Sequence, residues 1–294
     1  MATFRVACST ITWGSERPRR EVDPLAEIAA AGYEGAPCGM GGGSSPAEVK
    51  ARYSAYGLAP APGYLGAAFW EAEQQDAIVE QAQELAGFMA AVGCTELFVA
   101  SQGFDAMTAS GRTRRQAAAQ VRPEEMLSAD AFKQFAETLS AVGRATQAEG
   151  VKSCFHNHVG TFIETREEID TLFGLVDHDV VFQGPDIGHL AWAGADPVAF
   201  CHDYGEEIRS VHLKDIDPAV LARGLAEGWD YGQFSEAGIF AELGEGMVDL
   251  PAVLDVLRRA DYQGWIIIET DRTMKATAYE SAVISRQYLK RLGL

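Results

Sequence analysis

Polar side chains that could bind a cation follow the apolar runs in the second half of the chain. Asp186, His212 and Glu269 follow three successive runs. Two carboxylates that gather without a partner repel each other and lose the energy of hydration, which would protonate one of them. A divalent cation removes that conflict, and oxygen ligands with an imidazole suit Mn²⁺, Mg²⁺ or Co²⁺ better than a thiolate-rich structural zinc site. The spacing therefore predicts a divalent-metal site.

The metal prediction requires elements that bring these three residues together. Short β-rich runs alternate with helical patterns along the whole chain, and many junctions carry glycine. Such alternation predicts an α/β protein, and eight β/α units in this length fit a closed (β/α)8 TIM barrel, formed as a single domain over residues 1–294. The eight predicted strands are Phe4–Ser9, Tyr33–Cys38, Leu58–Leu65, Glu96–Ala100, Val151–His156, Val180–Asp186, Ile208–Leu213 and Trp265–Glu269.

A doubly wound sheet is the rival fold, but the first predicted strand is not followed by a GxGxxG turn. In a barrel the chemistry lies at the carboxyl ends of the strands, where the polar residues fall. Two predicted loops, Ser101–Glu125 and Asp215–Glu245, are long enough to act as lids. The arginines of the first of these loops are expected to be solvated: Arg112, Arg114 and Arg115.

Charge and cysteine content exclude several classes of partner. The 294 residues include 24 Lys and Arg against 42 Asp and Glu, a net charge of −18, which disfavours nucleic acid and anionic membrane surfaces. The five cysteines are odd in number and widely spaced, which predicts free thiols in a reducing compartment. The sequence shows neither a secretory signal nor an apolar run of the roughly 20 residues that span a bilayer. We therefore expect a cytoplasmic protein.

Five motifs give the sequence a family resemblance: HNHVGTFIET, DIGHL, HLKDI, GEGMVDL and IIIETD. Together they resemble the xylose-isomerase-like sugar isomerase/epimerase superfamily, and within it the inosose (2-keto-myo-inositol) dehydratase family. The resemblance implies a divalent metal, Mn²⁺ first and Co²⁺ or Mg²⁺ as alternatives. It implies Asp186, His212 and Glu269 as ligands, with Glu164 as the fourth and His156 as the other candidate. The chain departs from the family pattern at Pro37, where many relatives carry a glutamate.

The residues and the resemblance favour the same reaction, in which a proton is removed next to a carbonyl. His156 and His158 lie two residues apart, so both face one side of a continuing strand, and either could act as the base; Glu269 is the third predicted catalytic residue. Elimination of a hydroxyl would make the protein a dehydratase, and reprotonation would make it an isomerase or epimerase. The residues expected to contact the keto-polyol or keto-sugar substrate are Trp13, His189 and Lys214.

Two other readings belong to different classes of protein. Endonuclease IV resembles this chain in its barrel and in a DxxH motif, but it should carry more histidines and a basic face, which the charge of −18 opposes. A sugar-binding protein without catalytic activity would tolerate replacement of Glu269. The barrel class is compatible with a homo-oligomer, although the sequence shows no interface.

Overall fold

The computed structural model describes residues 4–294. Its parallel strands form a closed ring. One set of strands has the order β3-β2-β1-β11-β8, and the other has the order β4-β5-β6-β7. Isolated parallel bridges, Gln183 with Ile208 and Asp186 with His212, join β7 to β8. The strands are β1 (Arg5–Cys8), β2 (Gly35–Pro37), β3 (Ala59–Ala61), β4 (Tyr64–Ala67), β5 (Glu96–Ser101), β6 (Lys152–His156), β7 (Val181–Gln183), β8 (Val211–Leu213), β9 (Asp215–Ile216), β10 (Phe240–Ala241) and β11 (Trp265–Ile268).

The third predicted strand is divided into β3 and β4, which follow each other around the ring. Pro62, between them, has no backbone N–H to donate, so the ladder is interrupted there. The strand β3 pairs with β2, and β4 pairs with β5. With this pair counted as one, the ring has eight strands, and the predicted (β/α)8 TIM barrel is confirmed. The strands β9 and β10 form a separate antiparallel pair outside the ring.

Helices cover the outside of the ring and follow most of its strands. The longest helix, α6 (Ala129–Ala148), begins after Ser128, whose side chain accepts a hydrogen bond from the backbone N–H of Ala131. The helices are α1 (Ile11–Ser15), α2 (Pro24–Ala31), α3 (Pro46–Ala55), α4 (Gln75–Val92), α5 (Arg114–Ala117), α6 (Ala129–Ala148), α7 (Arg166–Phe173), α8 (Ile187–Trp192), α9 (Pro197–Tyr204), α10 (Pro218–Glu227), α11 (Tyr231–Ala237), α12 (Leu250–Arg259) and α13 (Ala278–Arg291). Within residues 4–294, no helix has the length and apolar character needed to cross a membrane.

The inside of the ring is filled by side chains rather than left open. Phe98, Ile267 and Trp265 form the centre of a buried cluster with small residues from neighbouring strands. A second and larger apolar layer lies between the strands and the helices. This packing fixes the strand ends, so that the polar residues beyond them are held on a rigid scaffold.

Candidate metal centre and active site

Four side chains from consecutive strands of the ring converge at its carboxyl end. Nε2 of His156 lies 4.0 Å from Oδ2 of Asp186, and Nδ1 of His212 lies 3.9 Å from the same oxygen. Nδ1 of His212 is also 2.7 Å from Oε2 of Glu269. The first three residues offer ligand atoms that all lie within 4.8 Å of one another. Asp186, His212 and Glu269, which the sequence predicts to meet, thus lie side by side at the strand ends.

The polar atoms of this cluster fit a bound cation. Oδ2 of Asp186 and Nδ1 of His212, which lie 3.9 Å apart, are buried and have no hydrogen-bond partner among residues 4–294. A buried polar atom without a partner is costly unless an ion or water satisfies it. Nitrogen and oxygen ligands bind a divalent metal at about 2.0–2.2 Å, so two ligands of one ion lie within about 4.4 Å of each other. The distances meet that condition.

Neighbouring groups hold the two carboxylates in place. The side chain of Asn157 accepts a hydrogen bond from the backbone N–H of Asp186 and donates one to its carbonyl oxygen. Oδ1 of Asp186 accepts from the backbone N–H of His189 and so caps α8, which leaves Oδ2 free. The hydroxyl of Ser9 donates to Oε1 of Glu269 at 3.0 Å. Both carboxylates are therefore oriented before any ligand binds.

The buried ammonium group of Lys214 dominates the electrostatics of the site. Its Nζ lies 3.3 Å from Oδ2 of Asp186, 3.7 Å from Oε2 of Glu269 and 2.6 Å from Oδ1 of Asp271. Burial alone would lower the pKa of Lys214, but these three carboxylates outweigh it, and the pKa lies well above its ordinary value. Burial also raises the pKa of Asp186, to about 6, against the opposing charge of Lys214. For Glu269, burial would raise the pKa, but the ammonium of Lys214 and the adjacent His212 outweigh it and hold the pKa well below its ordinary value.

Two further histidines pack against each other beside this cluster, with their rings tilted by 40°. The rings of His158 and His189 are 3.8 Å apart between centroids. Burial, followed by the charge of Lys214, lowers the pKa of His158 to about 4, and burial also lowers the pKa of His189 well below its ordinary value. Nδ1 of His158 lies 2.8 Å from the carbonyl oxygen of Val159, and since a carbonyl only accepts, Nδ1 carries the proton. Nε2 of His158 is then an unprotonated acceptor.

A cavity of about 470 Å³ opens onto these residues. Ser9, Tyr64 and Phe98 line it together with the polar cluster, and the edge of the Tyr64 ring faces His156 at 5.4 Å. This size is appropriate for a small polar molecule. The residues of the polar cluster that line it are His156, His158, His212, Lys214, Glu269 and Asp271.

Two predicted site residues lie elsewhere, and a third, His189, does not line the cavity but contacts Nζ of Lys214 at 3.1 Å. Glu164 belongs to neither candidate metal-binding group: its oxygens accept hydrogen bonds from the backbone N–H groups of Ala119 and Gly160 and lie 3.6 Å from Nη2 of Arg114. Trp13 does not line the cavity; it packs in the core and its indole N–H donates to Glu27 at 2.6 Å. The loop after β6 directs the side chain of Glu164 away from the metal site that the sequence suggests. Helix α1 directs the side chain of Trp13 away from the substrate pocket.

Comparison with known proteins identifies the family of this chain. Residues 25–292 match the model of the xylose isomerase-like TIM barrel family. The chain belongs to that family. It is 28% identical over 298 residues to an inosose dehydratase of Geobacillus kaustophilus, which covers 98% of this chain and 94% of the relative. Among solved structures it is similar to the IOLI protein with a binding zinc atom (TM-score 0.71, 13% identity, 98% of both chains). It is also similar to an L-ribulose 3-epimerase (TM-score 0.68, 17% identity, 99% of this chain and 94% of the other).

This member of the xylose isomerase-like family has polar residues at the site that the sequence reasoning does not assign. Asp271 lies two residues beyond Glu269, so the two-residue repeat of an extended chain gives the signal that both face the same side. Tyr231 donates from its hydroxyl to Oδ2 of Asp271 at 3.2 Å. It lies in the long segment between β9 and β10, where no periodic pattern indicates it. Its ring meets Phe104, from the other long loop, at 5.0 Å between centroids, so the two predicted lid loops contact each other beside the cavity.

Proposed function

We propose that this chain is a divalent-metal-dependent dehydratase that acts on a keto-polyol or keto-sugar such as 2-keto-myo-inositol. The observation that carries the proposal is the convergence of four metal-ligand side chains, three of them with an unpartnered buried atom, beside a small cavity that Lys214 and a neutral histidine line. The similarity to an inosose dehydratase over nearly the whole chain supports the substrate class.

The residues that would hold the metal are His156, Asp186, His212 and Glu269. His156 takes the fourth position in this proposal because Glu164 is bound by backbone amides. Once bound, a divalent cation would polarise the substrate carbonyl and offset the negative charge that develops when the neighbouring proton is removed. We propose Mn²⁺, with Co²⁺ as the nearest alternative, because imidazole is a better ligand for these ions than for Mg²⁺.

His158 is the proposed base. The hydrogen bond from Nδ1 to the carbonyl of Val159 fixes the tautomer and leaves a lone pair on Nε2. The ring lines the cavity and is uncharged at neutral pH, so that it can take the proton from the carbon next to the substrate carbonyl. With His156 assigned to the metal, His158 is the histidine that remains for this step.

Lys214 is the proposed acid. Its ammonium group lines the same cavity and can donate a proton to the hydroxyl on the adjacent carbon as the carbon–oxygen bond breaks. The proton removed by His158 and the proton given by Lys214 balance the loss of one water molecule. Nε2 of His189 lies 3.1 Å from Nζ of Lys214, so the imidazole packs against the proposed acid.

The proposal is tested by incubating Mn²⁺-loaded and chelator-treated protein with 2-keto-myo-inositol and following the ultraviolet absorbance of the dehydrated diketone. We expect metal-dependent growth of absorbance, lost in Glu269→Gln and kept in Glu80→Gln, a control on the exposed face of α4. Proton exchange with deuterated water, without absorbance, would instead indicate an isomerase or epimerase. Neither signal, with metal bound, would exclude this substrate.

A further inference from the structure

The position of Lys214 raises a question about metal binding. An ammonium group 3.3 Å from Oδ2 of Asp186 and 3.7 Å from Oε2 of Glu269 lies beside two of the proposed ligands. Its positive charge repels a divalent cation and competes for the same carboxylates, all the more because the group is buried. Something in the site must offset this competition if the metal is to bind tightly.

The hydrogen bonds of Lys214 show what offsets it. Nζ donates to Oδ1 of Asp271 at 2.6 Å and contacts Nε2 of His189 at 3.1 Å. Its contacts with Asp186 and Glu269 are longer and lack hydrogen-bond geometry, and Oδ2 of Asp186 has no hydrogen-bond partner within residues 4–294. The ammonium group therefore directs its hydrogen bonds away from the proposed ligand atoms.

The charges of the site are consistent with this arrangement. The carboxylates of Asp186, Glu269 and Asp271 and the ammonium of Lys214 sum to a net charge of −2. This matches a divalent cation. Without Asp271 the sum is −1, and Lys214 is left with the two ligand carboxylates as its nearest anions.

Tyr231 fixes the orientation of Asp271. Its hydroxyl donates to Oδ2, which leaves Oδ1 for Lys214. The ring of Tyr231 is held in turn by Trp192, which stacks on it at 5.2 Å between centroids. The long segment between β9 and β10 thereby reaches the metal site through Asp271.

We propose that Asp271, oriented by Tyr231, is a positioning residue that holds the ammonium group of Lys214 away from the metal-binding carboxylates and thereby sets the affinity for the metal. The proposal rests on the metal site of the proposed function, but not on the substrate or on the reaction. It predicts an effect on metal binding in the absence of substrate.

The test is calorimetric titration of the chelator-treated full chain with Mn²⁺ alone. We expect Asp271→Asn to bind Mn²⁺ about 10- to 100-fold more weakly than wild type, the range typical of groups that support metal ligands. Asp271→Glu, which keeps the charge, should recover most of the affinity. Equal affinity of wild type and Asp271→Asn would overturn the proposal.

A double-mutant cycle separates this role from a general structural one. Lys214→Met removes the competing charge, so Asp271→Asn in the Lys214→Met background should change Mn²⁺ affinity by less than about threefold. An undiminished loss in that background would show that Asp271 does not act through Lys214. Thermal unfolding of each variant identifies any that fail to fold.

Tyr231→Phe gives a milder variant that retains the aromatic stack. We expect it to weaken Mn²⁺ binding by roughly threefold to tenfold, whereas Tyr204→Phe should leave the affinity unchanged. Tyr204 is a matched control because its hydroxyl also donates to a carboxylate, Asp170 at 2.7 Å, on the outside of the barrel. Equal affinity of Tyr231→Phe and wild type would remove Tyr231 from the proposal.

The outcomes also distinguish this inference from the proposed function. Weaker Mn²⁺ binding in Asp271→Asn, together with no dehydration by wild type, would support the role of Asp271 and reject the substrate. Normal Mn²⁺ binding in Asp271→Asn, together with dehydration by wild type, would reject the role of Asp271 and support the substrate. A wild-type protein that binds no divalent metal would reject both.

Discussion

Nδ1 of His212 and Oε2 of Glu269 lie 2.7 Å apart, yet they do not form a hydrogen bond. The contact is short enough, but the ring N–H would not point at the oxygen. A cation shared by the two atoms would satisfy both of them. This contact is the shortest one between two of the proposed metal ligands.

The first prediction identifies the fourth ligand. We expect His156→Ala to weaken Mn²⁺ binding by at least about 100-fold, because it removes one of four ligands, and Glu164→Gln to change it by less than threefold. Calorimetric titration of both variants measures this directly. The opposite pattern would place Glu164 in the metal site and His156 outside it.

Glu164 gives a second prediction, for stability against pH. Burial raises its pKa from the ordinary 4.5 to about 7. A group with a raised pKa in the folded state contributes stability in full below pH 4.5 and loses that contribution as the pH rises through 7. Over this interval we expect wild type to lose about 3 kcal/mol of unfolding free energy relative to Glu164→Gln.

Urea unfolding at several pH values between 4 and 8 measures this difference. Glu124→Gln, at an exposed loop position, is the control and should run parallel to wild type. A constant difference between wild type and Glu164→Gln would show that the Glu164 carboxyl is ionised throughout the range.

A third prediction concerns the buried arginine of the first long loop. Arg114 is expected from the sequence to be solvated, but it is fully buried and pairs with Glu168 through both of its terminal nitrogens, at 3.0 and 3.1 Å. Arg114→Met leaves the carboxylates of Glu164 and Glu168 buried without their cation. We expect a loss of about 3–5 kcal/mol of unfolding free energy, measured by urea titration.

The neighbouring arginine is a matched control for that measurement. Arg115 pairs with Asp105 at 3.0 Å, but both side chains are partly or largely exposed. Arg115→Met should cost less than about 1 kcal/mol, as exposed ion pairs do. Equal losses at the two positions would contradict the burial argument.

The fourth prediction contrasts two aromatic residues. Tyr64 lines the cavity and Trp13 does not. With 2-keto-myo-inositol as substrate, we expect Tyr64→Ala to raise KM about tenfold and Trp13→Phe to change it by less than twofold. Steady-state kinetics on the two variants test this, and a large KM effect at Trp13 would return it to the substrate pocket.

The barrel and the meeting of Asp186, His212 and Glu269 could be predicted because both depend on local patterns. Apolar strands and glycine junctions define the β/α units, and a closed ring brings successive strand ends to one axis. The positions of Glu164 and Arg114 could not be predicted in this way. The loop after β6, which carries Glu164, has positive φ at Gly160 and Ile163. Arg114 pairs with Glu168, which lies 54 residues further along the chain. Neither the loop conformation nor the distant ion pair produces a periodic pattern in the sequence.

The contact between Phe104 and Tyr231 also makes the mouth of the barrel asymmetric. Two long loops meet beside His158, whereas Ile11 and Tyr64 line the cavity and stay about half exposed. A substrate would therefore enter the cavity past Ile11, which follows β1, and Tyr64, at the start of β4. Natural changes in substrate size should therefore accumulate in the short loops of the open side, where they leave the proton-transferring groups undisturbed.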